Sequence, residues 1–165
     1  MSKTSGAVPD FSAFLAVDEI PYEIMGLDGV TPTGWIWTIS GPGHPKAVAH
    51  TNEQTKKSLR KARLVEQAQV NGRKYVAEER TAEDQRRDNL AWIASRVLGW
   101  TPMALPFITG DAEPIPFSDE NVIKVLMHEK VGFVFTQLVD VVTEDKRFTQ
   151  RSETTSERTP STTSA

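Results

Sequence analysis

Side chains that do chemistry near neutral pH are scarce in this chain. It has no cysteine, so thiolate metal sites, cysteine nucleophiles and disulfide frameworks are excluded. Three histidines, His44, His50 and His128, are the only neutral-nitrogen ligands or general bases. Their spacing matches no metal motif. His44 and His50 stand six apart, which on a helix turns them in different directions, and His44 precedes Pro45 in a turn. Gly41-Pro42-Gly43 lacks the Lys-Ser/Thr of a P-loop and the third glycine of a dinucleotide fingerprint, and Pro42 deletes a backbone donor. The acidic pairs Glu78-Glu79 and Glu83-Asp84 lie in a strongly charged stretch that reads as a solvated face. No catalytic residue, no cofactor and no metal site is therefore expected, and an enzyme ranks last among the readings.

Charge is the more informative chemistry. The 165 residues carry 19 Lys+Arg against 22 Asp+Glu, a net charge of −3. Divided along the chain, that sum becomes −4 over residues 1–43, +5 over 44–99, −4 over 100–148 and 0 over 149–165. The basic excess centres on Lys56, Lys57, Arg60, Lys61 and Arg63. These five could neutralise phosphates. No aromatic residues are interleaved for stacking, the isoelectric point is near 5.7, and Glu53 and Glu66 flank the run. An acidic protein partner or a solvated face is preferred over nucleic acid, and a small nucleic-acid-binding regulator stays as an alternative.

The elements that must carry these residues follow from periodicity and turn chemistry. Ile20, Tyr22 and Ile24 alternate with Pro21 and Glu23, and Trp35 to Ile39 are strand formers. With Gly26, Asp28-Gly29, Pro32 and Gly34 between them, a β-hairpin over about 20–40 is predicted. Trp35 and Trp37 share one strand face and would either pack inward or offer a partner surface. Pro45 suits a first helical turn, and no further Gly or Pro occurs until Gly72, which predicts a helix over 46–70. On it Val48, Thr55, Leu59 and Ala62 form a thin stripe opposite the basic residues, so this helix is peripheral or needs a partner. Thr81 and Asp84 open a second helix over 81–98, with Leu90, Ile93, Ala94, Val97 and Leu98 at core spacing and Trp92 and Trp100 expected inside. Ser118 caps a helix over 119–129, and Phe135, Leu138, Val139 and Val142 line another over 132–147.

The ends are different. Residues 149–165 contain no aliphatic side chain larger than alanine and are dominated by Ser and Thr, so a disordered tail is expected, with residues 1–10 as a mobile arm. No apolar run approaches the ~18 residues of a membrane span, and the N-terminus lacks a signal-peptide core, so no membrane contact is expected.

One block has a family likeness. Val97 and Trp100 at a helix end, then Pro114, Pro116, Phe117, Ser118 and Asn121 at the next helix start, a short break, and Phe148 at the close resemble the tail assembly chaperones of long-tailed bacteriophages. Gly34 to Gly41 resembles the strand that precedes their charged helix, although Gly43-His44-Pro45 replaces the usual acidic-serine pair. The resemblance spans roughly residues 20–148 and brings no catalytic residue. It implies a protein of the infected host's cytoplasm that binds the tape-measure protein, helps recruit the tail-tube protein and is absent from the finished particle. A structural component of the tail or head–tail junction is the alternative, and self-association is open. The candidate partner-binding residues are Lys56, Lys57, Leu59, Arg60, Lys61, Arg63, Trp35, Trp37, Phe135, Leu138 and Val142. The expected fold is α+β: one mostly helical domain over 11–148 with an N-terminal β-hairpin.

Overall fold

In the computed structural model, which describes Val8 and residues 10–149, alternation along the early chain produces two antiparallel strands. These are β1 (Glu19–Met25) and β2 (Pro32–Ser40). Their register pairs Ile20 with Ile39 and Tyr22 with Trp37, so Ile20, Tyr22 and Ile24 share a face with Trp35, Trp37 and Ile39, while Ile36 lies on the other. Asp28 organises the connection by accepting from the N–H groups of Val30 and Thr31 at 3.0 and 2.9 Å. Gly29 supplies the positive φ that this turn requires.

A long helix, α1 (Pro45–Val70), follows directly. His44 is its N-cap, its Nδ1 accepting from Lys46 N–H at 3.1 Å, with Pro45 in the first turn. At 1.5 Å per residue the helix is about 39 Å long. Ala47 is its one buried residue. Two more contacts fix the root: Lys46 Nζ donates to the Val97 carbonyl at 2.6 Å and pairs with Asp119 at 2.5 Å. Gly72, at positive φ, turns the chain back towards α2 (Ala82–Ala94). Thr81 and Asp84 form a reciprocal capping box there.

The helix expected over 81–98 ends earlier, and this is the main correction to the expected order of elements. Val97–Trp100 is a third strand, β3, paired antiparallel with β2 through Ile39–Val97, Thr38–Gly99 and Trp37–Trp100. Val97 recurs at helical spacing from Leu90 yet is buried through the sheet. Apolar spacing records that a residue is buried and leaves open which hydrogen-bond ladder carries it. The half-buried β2 offered an unpaired edge, and β-branched and aromatic residues complete it.

A short helix absent from the sequence reading, α3 (Pro106–Thr109), precedes α4 (Asp119–Met127) and α5 (Gly132–Thr143). The last two are shorter than the predicted 119–129 and 132–147. A 3₁₀ turn at Glu129–Val131 separates them, and another at Asp145–Phe148 closes the fold after Glu144 leaves helical geometry. Ser118 caps α4 by accepting from Asn121 N–H. The core lies between the inner sheet face and the α2, α4 and α5 helices. Trp37, Ile39, Ile93, Val97, Val122, Val125, Leu138, Val141 and Phe148 are fully enclosed there. The Gln137 amide fastens α5 to the end of β1, bonding both the N–H and the carbonyl of Met25 at 2.9 Å. Thr149, expected to begin the tail, bridges to Ala16, while residues 150–165, 1–7 and 9 of the expected tail and arm lie outside the described residues. No helix among the described residues is long and apolar enough to cross a membrane.

Candidate functional site

Two of the three histidines are structural. His44 caps α1, and His128 Nδ1 accepts from Lys130 N–H at 3.3 Å while its ring stacks edge-on with Phe107. His50 alone lines a cleft. No group of three metal-ligating side chains comes together among the described residues.

The cleft, of about 650 Å³, lies where the first turns of α1 pass α2 and α5. His50, Thr51 and Gln54 come from α1, Asp88, Asn89 and Trp92 from α2, and Phe135 and Val139 from α5. Trp92, expected in the core, is instead 37% exposed at this wall. Ala47 is the buried residue of α1 and His50 is half-buried, while Thr51 to Leu64 are exposed, so the cleft beside them is open to solvent. Farther out, a second depression of about 420 Å³ runs along Ser58, Lys61, Ala62, Val65, Glu66 and Gln69. At about 100° per residue, Thr51, Thr55, Ser58, Ala62, Val65 and Gln69 share one side of the helix. The two depressions therefore form a track that leaves the body at Trp92 and continues along a face of α1 made of small side chains.

The charged side chains border this track. Lys56, Lys57, Arg60, Lys61 and Arg63 are all exposed and occupy the remaining arc of α1. Leu59 is exposed beside the small residues, at 58%. These predicted partner residues lie together on one projecting element, and Phe135 lines the cleft at its root.

The other candidates do not join them. Trp35, Trp37, Leu138 and Val142 are buried in the core and present no surface to a partner while the fold is intact. Trp35, Trp37, Trp100 and Phe117 form an aromatic cluster with ring centroids 4.9–5.4 Å apart. The Trp100 indole donates to the Ile115 carbonyl at 3.0 Å. The Trp35 and Trp37 N–H groups are buried without an oxygen or nitrogen acceptor, among ring faces that are weak acceptors. Sequence reasoning missed Trp92, Asn89, Gln54 and Val139 as lining residues. The register of α2 carried a signal, since Trp92 falls about 200° round the helix from Leu90 and off the buried stripe of Leu90, Ile93 and Ala94, and the expectation that a tryptophan is buried overrode it.

The block that carries the family likeness is a single packing unit. Val97 and Phe148 are buried, Trp100 meets Phe117 edge-on, Ser118 caps α4, and the Asn121 amide donates to the Pro116 carbonyl at 2.9 Å. No protein-family model matches the chain, and neither a curated protein nor a solved structure matches it.

Proposed function

We propose that this chain is a non-enzymatic tail assembly chaperone of the long-tailed bacteriophage type. In this reading it holds an apolar, helical tape-measure protein in solution within the host cytoplasm and helps recruit tail-tube subunits. One observation carries the reading: α1 extends from the body with a single buried residue, and a track of mostly small, uncharged side chains, edged by Lys61 and Glu66, runs along it from a cleft with an apolar wall, with the other basic residues of α1 outside it. A bare helix of this length gains little stability from its own sequence and is completed by another helix laid against it. Small side chains let that helix approach closely, the cleft takes a large apolar anchor, and the basic borders pair with acidic flanks. The resemblance of the Val97–Phe148 block is a second, independent support, because its motif positions are those that build the core and caps here.

The test is co-expression with a tape-measure protein encoded beside this chain. The expected result is that the long helical protein becomes soluble and is retained on the tagged chain, and that Lys57→Glu with Lys61→Glu abolishes retention without altering the circular dichroism spectrum. Salt-dependent retention on DNA lost in the same variant would replace this reading with nucleic-acid binding. Stoichiometric copies in purified particles would replace it with a structural role in the virion.

A further inference from the structure

We propose that the Phe11–Leu15 turn of one copy seats its rings in the Trp92 cleft of a second copy. Phe11, Phe14 and Leu15 are 71%, 73% and 54% exposed, within five residues of chain. Single exposed apolar residues are ordinary, whereas three adjacent large ones make a patch that calls for cover. The turn is also firmly built. Asp10 Oδ1 accepts from the Ser12 N–H at 3.0 Å and its hydroxyl at 2.7 Å, Phe14 N–H donates to the Phe11 carbonyl at 2.9 Å, and the two rings lie 5.3 Å apart. Below it the chain is tied down, with Val17 N–H donating to the Phe148 carbonyl at 2.7 Å and Ala16 bridging Thr149. The rings are thus presented outward on an anchored base.

The Trp92 cleft has matching chemistry. Its apolar wall of Trp92, Phe135 and Val139 and its volume of about 650 Å³ suit a compact apolar group, while His50, Thr51, Gln54, Asn89 and the acidic Asp88 form the rest of the lining, so the basic charge that meets the turn lies beyond the cleft. Charge selects a second copy as the occupant. Residues 1–43 carry one basic and five acidic groups, and residues 44–99 carry twelve basic and seven acidic. Pairing α1 with α1 would oppose like charges, while the acidic end of one chain attracts the basic middle of another and steers it. Asp10 and Asp18 flank the turn, and Lys57 and Lys61 continue the His50–Gln54 row of α1 beyond the cleft. The contact claims the same cleft that the chaperone reading gives to the partner's apolar anchor, but it needs no other protein, so the chain alone tests it separately from that reading.

Sedimentation velocity of the full chain over a concentration series tests it. The expected result is a mass that rises above the monomer with concentration and less so at high salt. Phe11→Ser with Phe14→Ser should weaken association roughly thirtyfold or more, as removal of a hot-spot aromatic pair does. Gln54→Trp, which fills the cleft from an exposed position, should do the same, and both variants should keep the thermal melt of the parent. An equal mixture of the two should recover association, since one supplies the cleft and the other the turn. A chain that stays monomeric at millimolar concentration, or an oligomer indifferent to both variants, overturns the proposal. So does a monomer whose Trp92 fluorescence responds to the Phe11/Phe14 change, because the turn would then occupy its own cleft.

Discussion

Two single residues have measurable consequences that follow from their immediate neighbours. The Asp28 carboxylate accepts from the Thr31 hydroxyl and from the Thr31 and Val30 N–H groups, which hold its pKa at about 2 against an ordinary 3.8. A depressed carboxylate contributes to stability above its unfolded value and loses that contribution as the pH falls through its folded value. The turn should therefore stay intact at pH 4 and loosen towards about pH 2, and a carboxyl ¹³C titration should give Asp28 a midpoint near 2. A midpoint near 3.8 would mean the turn bonds are not made in solution. Gly41 is the second case. A Cβ there would lie 2.2 Å from the Val17 carbonyl oxygen, a backbone atom that moves only with its strand-like tie to Phe148. Gly41→Ala should destabilise the fold by about 1–3 kcal/mol, seen as a lower urea midpoint.

Elements differ in how far they depend on the rest of the molecule. Beyond Ala47 α1 carries no buried residue, and Thr51 to Leu64 are all exposed, so its distal half should open without the core opening. Ser58→Pro should remove helical circular dichroism and amide protection beyond its site while leaving the urea midpoint of tryptophan fluorescence unchanged. A parallel fall in that midpoint would show that the outer helix is packed on the body in solution. The α2 helix is the opposite case, because Leu90, Ile93 and Ala94 are buried and its start is fixed by the Thr81–Asp84 box. Thr81→Ala should cost about 1 kcal/mol of global stability. Both helix starts were readable from sequence because a cap is a local device: a Pro in the first turn, or a hydroxyl three residues before a carboxylate. The end of α2 was not, since Val97 to Trp100 choose strand geometry for the sake of β2, a partner some sixty residues away in sequence.

At the scale of the whole molecule, one list of candidate residues separates into a core and a surface. Leu138→Ala should cost about 2–5 kcal/mol, because it opens a cavity among enclosed side chains. Leu59→Ala should stay within about 0.5 kcal/mol of the parent, being exposed on α1. Equal losses for the two in urea titrations would contradict this division. The sequence by itself determined the α+β class, the hairpin, where α1, α2, α4 and α5 begin, and the basic character of α1. Each of these is a property of composition, of a short-range period or of a cap, and each is set within a few residues. Only the tertiary structure decided that Trp35 and Trp37 point into the core, that Val97–Trp100 completes the sheet, and that Trp92 borders an open cleft where α1 departs. The physical reason is that an apolar stripe fixes only the need for cover. Which surface provides it, and whether any remains uncovered, depends on where distant elements are anchored, here on Lys46 holding the root of α1 to β3 and α4.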